Sequence, residues 1–287
     1  MIFLSLSVLA STLIFVVFKL LQKLRIDNLQ AIVINYIAAS VFGFALASSE
    51  LEFIDIFQKQ WIWGSLILGV LFITIFNVMA YTSQINGIAV ASVATKMSLI
   101  IPVILGLFLY QENTTLLKFI GVGIALTSVY LTSFKKGNAT NSITNLGGPI
   151  TLFIGSGIID SAIKYYQFNH LQDFEYGYFS ASIFMFAGIF GIAFFSMQRL
   201  KGRAKFNPKS IPFGIILGVI NFGSIYFLLK ALNSPKTESA TIFSINNVAI
   251  VLFSTLIGLF FFNERLLKKN WVGIALAIAA IFIIQLA

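Results

Sequence analysis

Long apolar runs alternate with short polar interruptions along the whole chain. Ten runs are long enough to predict a helix that crosses a bilayer, which takes about 20 residues rising about 1.5 Å each through a core roughly 30 Å thick. They are Ile2 to Phe18, Leu29 to Ala47, Trp61 to Tyr81, Ile88 to Tyr110, Leu116 to Phe134, Pro149 to Tyr166, Phe179 to Met197, Ile211 to Leu232, Ala240 to Phe262 and Trp271 to Leu286. The interruptions carry turn formers and charges, as in Lys23 to Asn28, Asn86-Gly87, Lys135 to Gly148 and Asn263 to Asn270, and most are too short to be domains. No run alternates with the two-residue period of an outer-membrane strand. An all-α integral membrane protein is therefore expected, because helices satisfy their own backbone groups in lipid. The first run lacks the basic residues that open a signal peptide; Lys19, Lys23 and Arg25 follow it, so it is expected to remain as a span.

Composition agrees with this reading. Hydrophobic residues make up 58% of the 287 and charged residues 10%, against roughly a quarter charged in a soluble domain. The net charge of +9 comes from 19 basic residues scattered among apolar ones. They form no patch that could track phosphates, so no nucleic-acid partner is expected. There is no cysteine and a single histidine, His170, so neither a disulfide framework nor a metal site is expected. No P-loop, Rossmann or nucleophile-elbow pattern occurs, so no cofactor and no enzymatic activity are expected.

The chain repeats itself. An offset of 152 residues places Gly106-Leu107-Phe108 on Gly258-Leu259-Phe260, Glu112 on Glu264, Gly121 on Gly273 and Ala125 on Ala277. Gly69-Val70 matches Gly218-Val219 at 149, and Ser11 and Lys19 match Ser156 and Lys164 at 145, the drift that loop insertions produce. Two five-span copies follow, residues 1–134 and 149–287, joined by a linker at 135–148. Five is odd, so the second copy enters the membrane from the opposite side and the repeat is inverted.

A span ending in an acidic residue, a short link and a glycine in the next span thus occur twice, as Gly106 to Glu112 leading to Gly121 and as Gly258 to Glu264 leading to Gly273. In this the chain resembles the EamA family of the drug/metabolite transporter superfamily, over nearly its whole length. The resemblance implies ten helices in two inverted halves and a secondary transporter, by analogy an exporter, of a small metabolite or amino acid at the plasma (inner) membrane. A non-transporting scaffold or partner subunit is the alternative, and an intramembrane enzyme finds no catalytic set. The lipid bilayer and a small-molecule substrate are the expected partners, with a homodimer as a candidate assembly.

An ionisable side chain inside a span costs at least a few kcal/mol and requires a reason. Lys96 lies well inside the fourth span. On a helical wheel Ser92, Thr95, Lys96, Pro102 and Gly106 share a face. The repeat maps Ser92 to Ser244, Thr95 to Asn247, Pro102 to Ser254 and Gly106 to Gly258. Ser92, Thr95, Lys96, Ser244 and Asn247 are the candidate cavity residues, although for the small ones tight helix packing carries more weight. Asp160 is the one carboxylate within an apolar run, and is a candidate coupling residue or the partner of Lys164 one turn on. Asn35, Asn77 and Asn221 read first as helix-to-helix hydrogen bonds, and Glu112 and Glu264 as structural groups at links. Trp61, Trp63, Trp271, Tyr110 and Tyr178 suit an interfacial belt. Thirteen of the 19 lysines and arginines fall in links after odd-numbered spans and five elsewhere, with Lys96 inside. Both termini are therefore expected to face away from the cytoplasm.

Overall fold

The computed structural model describes residues 2–47, 51–109, 116–132, 146–202, 205–232 and 239–286. Among these the chain is all-helical, without a strand. The α-helices are α1 (Ile2–Lys23), α2 (Asn28–Leu46), α3 (Ile62–Ile85), α4 (Ile88–Met97), α5 (Ile100–Leu109), α6 (Leu116–Thr132), α7 (Gly147–Asn169), α8 (Tyr176–Leu200), α9 (Ser210–Leu232), α10 (Ser239–Phe262) and α11 (Lys268–Leu286). Of these, α1, α2, α3, α8, α9 and α10 are long and apolar enough to cross a membrane.

Helix ends fall where the local chemistry stops them. Arg25 takes a left-handed φ of 54° after α1, and the Ile26 N–H reaches back to the Leu21 carbonyl at 2.9 Å, closing the helix. Asp27 then opens α2, its carboxylate accepting the Gln30 N–H at 2.9 Å. The predicted fourth span is not one helix. It breaks at Ser98 and Leu99 because Pro102 offers no N–H and its ring would collide with the Ser98 carbonyl four residues back. The face drawn through Ser92, Lys96 and Pro102 therefore does not continue along one straight helix.

The chain forms two compact units, each taking segments from both sequence halves. The first comprises Met1–Lys19, Val78–Ile158 and Gly223–Ala287. In it α6 lies along α11 and α4 against α10. Ser7 Oγ donates to the Ser224 carbonyl at 2.9 Å, and Leu4 is buried with Ala231 and Ile242. The second unit comprises Leu20–Asn77 and Ile159–Phe222. There α2 lies along α8, with Tyr36 buried against the rings of Phe72, Phe76 and Phe184 and its hydroxyl donating to the Phe72 carbonyl at 2.9 Å. Helix α9 meets α2 through Gly214 and Gly218. A Cβ on Gly218 would lie 2.7 Å from both Ala38 Cβ and the Asn35 carbonyl oxygen. Small residues one turn apart let two backbones approach where apolar burial alone gives helices no reason to prefer each other over lipid.

Candidate functional site

The helix break places Lys96 in the last turn of α4, where the unpaired carbonyls of a helix end favour a cation. Its side chain is half-buried. Thr95 Oγ1 donates to the Ala91 carbonyl at 2.8 Å, and Ser98 Oγ turns back to the Thr95 carbonyl at 2.5 Å. The Ile101 N–H donates to the Ser98 carbonyl at 2.9 Å and carries the chain into α5.

Ser92 is fully buried and donates to the Ala89 carbonyl at 3.0 Å, while Ser254 Oγ on α10 donates to Ser92 Oγ at 2.7 Å. The structure thus brings Ser92 and Ser254 together at the crossing of α4 and α10. Asn247 is buried on α10, beside Asn246, whose Oδ1 is buried without a hydrogen-bond partner. The side chain of Ser244 lies outside the described residues, as do Tyr110, Glu112 and most of the 135–148 linker. Asp160 and Lys164 are exposed on α7 in the second unit.

A cleft of about 410 Å³ lies in the first unit between α1 and α10. Leu4, Val8 and Leu9 line it from α1, and Ile245, Ala249, Phe253 and Ile257 from α10, with Ser5 and Thr12 as its polar members. The α10 residues recur every four positions, on a different face from Asn247, Ser254 and Gly258. Sequence reasoning missed them because an apolar stripe reads the same whether it faces lipid, a neighbour or a cavity.

Beyond this cleft Glu264 gathers four helix ends. Asn263, at a left-handed φ of 52°, ends α10 and turns the chain so that the Glu264 N–H donates to the Gly258 carbonyl at 2.9 Å. The carboxylate lies 3.1 Å from Lys19 Nζ, and its two oxygens accept the Ile88 N–H at the start of α4 at 2.9 and 3.0 Å. Lys19 also donates to the Gln84 carbonyl at 3.3 Å, and Gln84 Nε2 to the Phe18 carbonyl at 2.8 Å. Glycine makes the room: a Cβ on Gly258 or on Gly87, the latter at φ 109°, would lie 2.6 or 2.8 Å from Glu264 Oε2. Sequence reasoning singled out Gly258 and Glu264 through their repeat, but read Lys19 as the repeat counterpart of Lys164 and a topology charge, without a partner.

Two comparisons with known proteins bear on this arrangement. Residues 149–286 match the EamA-like transporter family. The chain is also similar to an uncharacterized protein of Haemophilus influenzae, 30% identical over 282 residues that make up 96% of this chain and 94% of that one. The chain belongs to the EamA-like transporter family. It is accordingly a multi-pass membrane protein related to transporters, and six of its described helices are long and apolar enough to be membrane spans. In an EamA-like protein the half-buried Lys96, the helix break beside it and the α1–α10 cleft are the features of interest, while the family match itself covers only the second half, which holds Asn247 and Glu264.

A second ion pair lies outside the spans of this EamA-like chain. Lys59 Nζ lies 2.8 Å from Glu175 Oε1, and Glu175 Oε2 accepts the Gln172 N–H at 3.0 Å. Burial pushes the Glu175 carboxyl up, but the Lys59 ammonium and the Gln172 N–H outweigh it and hold the pKa below the usual carboxylate value. Close by, Tyr178 Oη donates to the Leu51 carbonyl at 3.3 Å.

Proposed function

We propose that the protein is a secondary transporter that exports a small anionic or zwitterionic metabolite, an amino acid being the simplest case, across the plasma (inner) membrane. The observation that carries this reading is Lys96, a half-buried cation in the last turn of a helix that stops and restarts inside a predicted span. Discontinuous helices leave backbone groups free of helix bonds near the bilayer midplane, where secondary transporters hold substrates and ions. An ammonium group there favours a carboxylate-bearing ligand. Asp160 is proposed as the proton-coupling group and the cleft between α1 and α10, one helix from each sequence half, as part of the pathway.

The helix ends that meet support ten spans in two inverted five-helix repeats, with α4 and α5 together counted as the fourth span. A chain that crosses ten times in alternation can join only links of equal parity. In the first unit the ends of α1, α3 and α10 and the start of α4 meet at Glu264, and the end of α6 meets the start of α11 through Asn270, whose Nδ2 donates to the Thr132 carbonyl at 2.7 Å. In the second unit Gln30, near the start of α2, donates to the Lys205 carbonyl and accepts the Asn207 N–H, both at 2.8 Å, while Lys59 meets Glu175. Each contact joins links of equal parity. The excess of lysine and arginine in odd links supports an orientation with both termini outside the cytoplasm, and a reporter fused at Ala287 that was active only in the cytoplasm would overturn that orientation.

The test is flux of a panel of amino acids and small carboxylates into proteoliposomes. Saturable counterflow is expected, with apparent affinity for carboxylate substrates falling about tenfold or more in Lys96→Met, the loss of one charge-assisted contact. Asp160→Asn should abolish proton-driven accumulation and spare exchange. If folded wild-type protein moves no member of the panel, a scaffold or partner-subunit role replaces this reading.

A further inference from the structure

A charge pair meets at one end of the cleft between α1 and α10. Along α1 its last lining residue is Thr12, and Lys19 follows seven residues later, about 10 Å at helical rise. Along α10 its last lining residue is Ile257, and the chain turns back at Asn263 so that the Glu264 carboxylate lies against the next residue, Gly258. The two partners meet at the end of the cleft marked by the C-terminal parts of α1 and α10, 3.1 Å apart, with side chains only 13% and 11% exposed. The Ile88 N–H and the Gln84 carbonyl draw α4 and α3 into the same closure.

We propose that the Lys19–Glu264 pair is the gate at this end of the pathway, the contact that parts when the cleft opens to water there. The proposal rests on the transport reading and adds a moving part to it. Desolvation makes a buried ion pair a poor device for permanent cohesion, since packed apolar residues of the same volume hold helices at least as well. The same desolvation makes it a good device for a contact that must open. When the helix ends separate, both charges recover their hydration, whereas apolar residues in their place would expose surface that water disfavours. Gly258 and Gly87 fit this role, because they let the carboxylate lie against backbone and swing out without displacing a side chain.

The natural absence of cysteine allows a direct test. Thr12 is buried, its hydroxyl donating to the Val8 carbonyl at 2.7 Å, so Thr12→Cys should react slowly with a membrane-impermeant maleimide. The probe is applied to the membrane face on which a separate Arg265→Cys variant labels. Glu264→Gln keeps an acceptor for the Ile88 N–H but removes the charge, and Lys19→Met removes the other partner. Each is expected to speed labelling at position 12 by about tenfold or more, as the open population grows. Lys19→Arg should leave labelling slow, and Lys19→Met/Glu264→Gln together should label no faster than the faster single variant. Monodisperse elution of each variant establishes folding, and Lys19→Met alone decides if Glu264→Gln fails to fold. Labelling within about twofold of the parent in folded Lys19→Met, or additive acceleration in the double variant, would overturn the gate. The readout needs no substrate, so it stands or falls separately from the flux assay.

Discussion

Replacing Gly258 with alanine sets two effects of known size against each other. In a helix interior alanine is better than glycine by about 1 kcal/mol. Here the added Cβ would lie 2.6 Å from Glu264 Oε2, whereas a comfortable C···O contact is about 3.3 Å or more. The carboxylate must therefore move by roughly 0.7 Å. Both carboxylate oxygens rest on the Ile88 N–H, so a shift of this size away from the new methyl draws them off it. The present 2.9 and 3.0 Å contacts would lengthen to about 3.6 Å, past hydrogen-bonding range. A hydrogen bond to a charged group contributes about 1.5–3 kcal/mol, so the net effect of Gly258→Ala is a loss of about 0.5–2 kcal/mol. With Glu264→Ala already in place the obstacle is gone, and the same methyl should stabilise by up to about 1 kcal/mol. Equilibrium unfolding in mixed detergent micelles, followed by circular dichroism over the four members of the cycle, measures both numbers. The reasoning is refuted if Gly258→Ala has the same sign and a similar size in both backgrounds.

Three further outcomes are expected. Gly218→Ala should destabilise by about 1–3 kcal/mol because its Cβ meets the α2 backbone; Gly123→Ala on α6, with nothing within 4 Å, should stabilise by about 1 kcal/mol, both read as unfolding midpoints in detergent. The depressed pKa of Glu175 means that its pairing with Lys59 stabilises above the unfolded carboxylate pKa of about 4.3 and is lost as pH falls through the lower folded value. The gap in thermal midpoint between wild type and Lys59→Met should accordingly be full near pH 6 and shrink below about pH 4; a gap that stays constant to pH 3 would remove Glu175 from the pairing.

Where the apolar runs lie, where polar links interrupt them and which family they belong to were legible in the residues themselves. Those properties are local: a helix closes its own hydrogen bonds within four residues, and a long apolar run has no soluble alternative. The break at Ser98 had a local signal too, in Pro102, but a wheel drawn straight through it joined residues that the fold separates. Partnerships were another matter. The repeat equated Ser254 with Pro102, yet the fold set Ser254 against Ser92. It marked Gly258 and Glu264 as a pair without showing that Lys19, at the other end of the chain, would supply the counter-charge. It offered no sign that Ile245, Ala249, Phe253 and Ile257 line a cleft. Which face of a helix meets which neighbour is decided by close fit between small residues and by charges that find each other across the bundle. An apolar side chain looks the same from the sequence whichever surface it covers, so only the tertiary structure could show which residues come together.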